Sequence, residues 1–232
     1  MPHSPLNLLL PSAPNFVPES KRTALLVIDM QYLDAHPAWG LGRMAKEKGL
    51  SQELNYYFEQ VSKTIPNIQR LLEACRRVGI EVIYTRIASL TRDSRDASLA
   101  LRVRDLATPP GTKEAEILEE LSPAGDELII SKTSSGIFNS TAIDQIFRNL
   151  GTKYLIVTGV VTNHCVELSV RDAADRGYYV IVVSDGCASF TEELHQQALQ
   201  RMSTGLMKIK TTEEVLKLIS KAPQVQGRGV RA

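Results

Sequence analysis

Long apolar runs are missing from this chain of 232 residues, and with no stretch of about 18 consecutive apolar residues a membrane-spanning helix is not expected. An excess of either charge is missing too. Lysine and arginine number 27 against 26 aspartates and glutamates, a net charge of +1, without long like-charge blocks. Such a balance offers no electrostatic footprint for nucleic acid or for a membrane surface. Cysteine is scarce: Cys75, Cys165 and Cys187 are scattered and odd in number. A disulfide framework is therefore not expected, whereas a reducing, cytoplasmic compartment is. Neither GxGxxG nor a Walker-type loop occurs, so no nucleotide cofactor is expected, and no other cofactor is called for. Histidine is limited to His3, His36, His164 and His195, which show no metal-ligand spacing, so no metal is expected either.

What the chain does have is 43% hydrophobic residues, enough for one sizeable core. The opening "MPHSPLNLLLPSAPNFVPES" has no basic segment and is broken by prolines. It reads as an irregular arm over residues 1–20 rather than a signal peptide. Residues 222–232 read as a flexible polar tail, which leaves one domain over 21–221. Six apolar runs within it read as strands: 23–29, 80–87, 126–131, 153–159, 178–185 and 206–210. Helix-like segments fall between them. One starts near residue 52 and carries Pro66, which should kink it or open its second part. Another lies in "EAEILEEL", one follows "TNHC", and the last is capped by Thr211 or Thr212. Continuous apolar strands alternating with helices predict an α/β fold, a mostly parallel sheet covered on both faces.

Ligands of such sheets sit beyond the carboxyl ends of the strands. Asp29 closes the first run, Lys132 follows the third, and the fourth leads through "GVVTNH" to Cys165 at a helix start. Helix N-terminal amides would favour the thiolate of Cys165 and could hold an oxyanion. Asp29 could take the thiol proton and later return it to a leaving amine, with Lys132 holding Asp29 ionised. Each residue alone has an ordinary explanation: core packing for a cysteine, a turn for an aspartate, solvation for a lysine. Their convergence on one edge favours chemistry.

"LLVIDMQ", the lysine of "SKTSSGIFNSTAID", and "VTGVVTNHCVELSVRDAADRGYYVIVVSDGCAS" together resemble the isochorismatase-like cysteine hydrolases over residues 22–205. The resemblance implies a three-layer α/β/α fold around a six-stranded parallel sheet and an Asp–Lys–Cys triad, here Asp29, Lys132 and Cys165. It further implies a cis peptide at Val160–Val161, which would bring the Val161 and Cys165 N–H groups together as an oxyanion hole. A homo-oligomer, dimer or tetramer, is also implied. Within the superfamily, "SGIFNS" and "TNHCVE" are similar to ureidoacrylate amidohydrolases and to biuret and triuret hydrolases, with Ile137 departing from an aromatic position. The Asp-x-His metal motif of nicotinamidases has no counterpart in "YTRIASLTRDSRD".

The implied activity is cleavage of a C–N bond in a small linear amide or ureide through a thioester, releasing ammonia or an amine. Candidate substrate-binding residues are Gln31 and Tyr32 after Asp29, Trp39 in "HPAWGLGR", Arg86 at the end of the second run, Phe138, and Glu167 after the cysteine. A nicotinamidase-like or isochorismatase-type hydrolase, or a non-catalytic binding protein on the same fold, are the competing readings.

Overall fold

The computed structural model describes Leu9 and residues 15–220; the expected C-terminal tail and most of the expected N-terminal arm lie outside the described residues. Strands β1 (Thr23–Ile28), β2 (Glu81–Ile87), β3 (Leu128–Lys132), β4 (Tyr154–Val160), β5 (Tyr179–Ala188) and β6 (Met207–Lys210) form one sheet. All pairings are parallel and the order is β3-β2-β1-β4-β5-β6, the doubly wound arrangement. Side chains alternate along a strand. Leu25 and Val27 of β1 therefore enter one core layer with Ile156 and Ile181, while Ala24, Leu26 and Ile28 enter the other with Leu155, Val157 and Val182.

Helices α1 (Tyr32–Ala35), α2 (Gly40–Glu47), α3 (Asn55–Val78), α4 (Leu99–Arg102), α5 (Ile143–Asn149), α6 (Glu167–Asp175), α7 (Glu192–Arg201) and α8 (Thr212–Ser220) connect the strands. α3 and α8 cover the first layer; α5, α6 and α7 cover the second. No helix among the described residues is long and apolar enough to cross a membrane. α3 runs through Pro66 as one continuous helix, so Pro66 does not open a separate second helix. Tyr57, Val61, Thr64, Ile68, Leu71, Leu72 and Cys75 are buried at three- and four-residue spacing, and this long stripe on the sheet outweighs one lost backbone hydrogen bond. Two helix starts follow sequence rules. Thr191 Oγ1 accepts from Leu194 N–H, and Thr211 and Glu214 cap reciprocally before α8.

The expected helix in "EAEILEEL" is replaced by 3-10 turns at Lys113–Ala115 and Glu119–Leu121. The segment between them is drawn out as a partner for the chain leaving β1. Gln31 bridges Ile117, Tyr32 N–H donates to Glu116 O at 3.0 Å, and Leu118 N–H donates to Met30 O at 3.0 Å. Backbone bonds to a distant segment win over local helix propensity here. β5 extends past its expected end because its register against β4 shifts between Val157 and Gly159 and then resumes at Cys187 and Ala188.

Gly159 holds β4 against β1 beside the carboxyl ends of both strands. Its φ is 113°, and a Cβ there would lie 2.0 Å from Ile28 O. Gly159→Ala is therefore expected to lower stability by more than about 2 kcal/mol, read from the urea midpoint.

Candidate active site

The order of strands reverses between β1 and β4, and both lead there into residues with reactive side chains. Asp29 leaves β1 with a left-handed φ of 52°, which aspartate tolerates better than most residues. Its N–H donates to Thr85 O at 3.0 Å, and its Oδ1 accepts from Thr85 Oγ1 at 3.2 Å. These bonds fix a carboxylate that is fully buried.

Lys132, the last residue of β3, is also fully buried. Around its Nζ lie Asp29 Oδ2 at 2.8 Å, Ser134 O at 3.0 Å and Cys165 Sγ at 3.6 Å. An ammonium has three N–H groups, and three acceptors surround it. Burial pulls its pKa down most strongly, yet the charges of Asp29 and Cys165 outweigh that and hold it above its usual range. The loop after β3 is built to supply the Ser134 carbonyl. Ser140 Oγ accepts from Thr133 N–H at 3.1 Å and lies 2.8 Å from Ser134 Oγ.

Cys165 lies in a π-helical turn, Thr162–Val166, where Val166 N–H reaches Val161 O at 3.3 Å; α6 follows. Thr162 Oγ1 lies 2.9 Å from His195 Nδ1 of α7, and Ser169 Oγ donates to Cys165 O at 2.6 Å. The preceding Val160–Val161 peptide is cis. The pull of the helix start toward a thiolate is opposed by the rest of the site. Burial first, opposed by Lys132 and then reinforced by Asp29 and Asp34, pushes the Cys165 thiol well above its usual range. Desolvation and two carboxyl groups outweigh one lysine and a helix start, so a nearby base is needed to generate the nucleophile.

The other sequence candidates are placed unequally. Gln31 is wholly buried and fully engaged: its Nε2 donates to Ile87 O and Glu114 O, and its Oε1 accepts from Ile87 N–H. It ties the end of β1 to the end of β2. Tyr32 is buried, stacks on His36 at 5.0 Å, lies under Lys113 Nζ at 4.1 Å and meets Trp39 edge-on at 6.2 Å. Trp39 is 36% exposed at the start of α2, and the next residue, Gly40, has a φ of 45° with Leu33 O 2.0 Å from where a Cβ would stand.

Arg86 is not brought to Lys132. It bonds Ser131 Oγ at 3.1 Å and Ala115 O at 3.1 Å, and Ser131 and Lys132 point to opposite faces of β3. Arg86 lines a separate cleft of about 430 Å³ with residues such as Ser89, Thr112 and Glu116. Phe138 packs with Phe147 and Tyr178, and the Arg176 guanidinium lies 4.9 Å from its ring centroid. Glu167 forms a two-pronged ion pair with Arg201, at 2.6 and 2.8 Å. Ile137 is wholly buried in the same apolar layer as Cys165, and its N–H donates to Ser169 Oγ at 3.3 Å.

Asp34 of α1 escaped the sequence reading. It is buried, its Oδ2 has no hydrogen-bond partner, and Tyr57 of α3 donates to its backbone carbonyl at 2.9 Å. Burial first, then the charge of Asp29, raise its pKa to about 8, against a lowering pull from Lys132. The run "YLDA", an acid flanked by apolar residues, was the available signal. Among the described residues, no group of three or more histidine, cysteine, aspartate or glutamate side chains is arranged to hold a metal ion.

The Isochorismatase domain model matches residues 23–214. A ureidoacrylate amidohydrolase of Variovorax paradoxus is 28% identical over 221 residues, covering 88% of this chain and 82% of that protein. Nicotinamidase 3 of Arabidopsis thaliana is 28% identical over 190 residues, covering 81% and 84%. A crystal structure of a cysteine hydrolase from Pseudomonas syringae pv. phaseolicola superposes with a TM-score of 0.77 at 26% identity, covering 92% of this chain and 99% of that one.

Proposed function

The chain belongs to the Isochorismatase domain family of hydrolases, and on that premise we propose that it is a cysteine-dependent amidohydrolase acting on a small linear amide or ureide. The observation that carries this reading is the buried contact of Lys132 Nζ with Asp29 at 2.8 Å and Cys165 at 3.6 Å, at the reversal of strand order. The names of the ureidoacrylate amidohydrolase and nicotinamidase relatives support amide chemistry in general.

In the proposed reaction Asp29 accepts the Cys165 proton as Sγ attacks the substrate carbonyl carbon. Coupling the two events removes the need for a free thiolate in a site that disfavours one. The carbonyl oxygen becomes an oxyanion held by the Val161 and Cys165 N–H groups. The tetrahedral adduct collapses, the C–N bond breaks, and the amine or ammonia leaves with the proton from Asp29. A thioester remains. Water, losing a proton to Asp29, attacks it and releases the acid, and the proton returns to sulfur. Lys132 stays charged throughout and balances whichever of Asp29 and Cys165 is anionic.

Phe138, Tyr32 and Trp39 remain proposals for the pocket wall, and a homo-oligomer remains a proposal to be read by light scattering. The test of function is an ammonia-release screen over biuret, triuret, N-carbamoyl amino acids, ureidoacrylate analogues and nicotinamide. Cys165-dependent release from a linear ureide or amide in preference to nicotinamide is expected. No release from any of them would remove the proposal, and preferred nicotinamide turnover would replace it with an aromatic-amide hydrolase.

A further inference from the structure

Two side chains from outside the turn of Cys165 hold that turn in place. Thr162, its first residue, is wholly buried, and its Oγ1 lies 2.9 Å from Nδ1 of His195 on α7. Among the described residues that hydroxyl has no other hydrogen-bond partner. Asn163, the second residue, accepts from Ser189 Oγ at 2.7 Å. The turn then closes on Val161 O, which receives His164 N–H at 2.9 Å and Val166 N–H at 3.3 Å. Thr162 thus stands between Val161 and Cys165 in one short turn, so a shift at its hydroxyl is passed to both.

A buried hydroxyl needs an acceptor for its proton. Nδ1 of a neutral imidazole, protonated at Nε2, is such an acceptor. An imidazolium carries a proton on Nδ1 and has no lone pair to offer. Thr162 Oγ1 then has to accept instead, which leaves its own proton buried without a partner. Water reaches the ring, because His195 and Ser189 both line a cleft of about 290 Å³. Other titratable groups of that cleft have partners of their own. Glu192 of α7 accepts from Tyr56 of α3 at 2.7 Å, Lys63 of α3 is paired with Glu59 at 2.6 Å, and Asp185 of β5 accepts from Thr212 N–H at 2.6 Å. Cys187 of β5 contributes a buried thiol. Burial holds the His195 pKa below its ordinary 6.5, against an upward pull from Glu192 and the Ser184 carbonyl, so the ring is neutral at neutral pH.

We propose that His195 is a positioning residue for the reaction, whose neutral imidazole fixes the Thr162 hydroxyl and through it the turn that presents Cys165 Sγ and the Val161 and Cys165 N–H groups. The inference rests on the reading of Cys165 as the nucleophile.

Alkylation of Cys165 by iodoacetamide, followed by peptide mass spectrometry, tests this without a known substrate. A C–S bond forms, the C–I bond breaks with loss of iodide, and the thiol proton passes to Asp29, so the rate reads the placement of Sγ against Asp29. At pH 7.5, His195→Ala and Thr162→Val are each expected to slow alkylation roughly ten-fold. The two together should slow it no further than either alone, because they break the same bond. Asparagine places an acceptor oxygen near the position of Nδ1, so His195→Asn should keep most of the wild-type rate. The pH profile separates positioning from packing. As pH falls through the folded His195 pKa, the wild type loses its acceptor and His195→Asn does not. The ratio of the wild-type rate to the His195→Asn rate should therefore fall several-fold from pH 7.5 to pH 5. Turnover of an amide found in the ammonia screen should show the same losses in kcat, with KM kept within about two-fold.

If His195→Ala does not fold, the ratio with the conservative His195→Asn decides. A ratio that does not change with pH, a wild-type rate in folded His195→Ala, or additive losses with Thr162→Val would overturn the inference. Ammonia release that survives Cys165→Ala would overturn the amidohydrolase reading instead, and the alkylation profile would still read the turn.

Discussion

Cys165→Ala is expected to reduce ammonia release by a factor on the order of 10⁴ or more while the protein still folds. The size of the effect follows from what the sulfur does: without it neither the thioester nor the divided reaction path exists. Cys75 and Cys187 are buried like Cys165, and burial pushes both of their thiols up to about 12. Only Cys165 has a lysine ammonium at 3.6 Å, with the carboxylate of Asp29 bound to the same nitrogen. Cys75→Ala therefore serves as the control. It removes a buried sulfur from α3 and should cost roughly 1–2 kcal/mol of stability, with turnover kept. Loss of turnover in both variants would point to disturbed folding. Full turnover in Cys165→Ala would remove sulfur from the mechanism.

The three central residues were legible in the sequence for a topological reason. In a parallel sheet every strand delivers its carboxyl end to the same edge, so Asp29, Lys132 and Cys165 could be grouped from strand boundaries alone. The surrounding side chains were not legible, because their partners are far away in the chain. Gln31 follows Asp29 closely, yet its amide is consumed by Ile87 and Glu114 backbone groups. Glu167 follows Cys165 just as closely, but Arg201 of α7 claims it. Arg86 sits at the end of β2 and is turned away by strand alternation, a parity that depends on the exact register with β3. Asp34 was hidden for the opposite reason. An aspartate shortly after a strand is ordinary in a turn, whereas Asp34 lies in α1, which buries four consecutive side chains. The thiol shows the limit of arguing from one element: a helix start pulls its pKa down, but burial first, with Asp29 and Asp34 adding to it against Lys132, pushes it up.

Lys132→Met should produce the second large effect, this time on stability as well as turnover. Methionine approximates the lysine stem but leaves Asp29 as a buried carboxylate with no cation at 2.8 Å. Breaking such a pair on one side costs about 3–5 kcal/mol, whereas removing both charges often costs little. Asp29→Asn combined with Lys132→Met is therefore expected to recover most of the lost stability and none of the activity. Urea unfolding of the wild type, the two single variants and the double variant yields the coupling directly. The pH dependence has a definite sign. Because Lys132 is held above its usual pKa, its pairing stabilises the fold fully below the unfolded lysine value of about 10.4 and is lost as pH rises through the folded value. The stability gap between wild type and Lys132→Met should thus hold across neutral pH and close only in strong alkali. Equal stability of the single and double variants would show that Asp29 does not depend on Lys132 for its charge, and the cation's place in the mechanism would go with it.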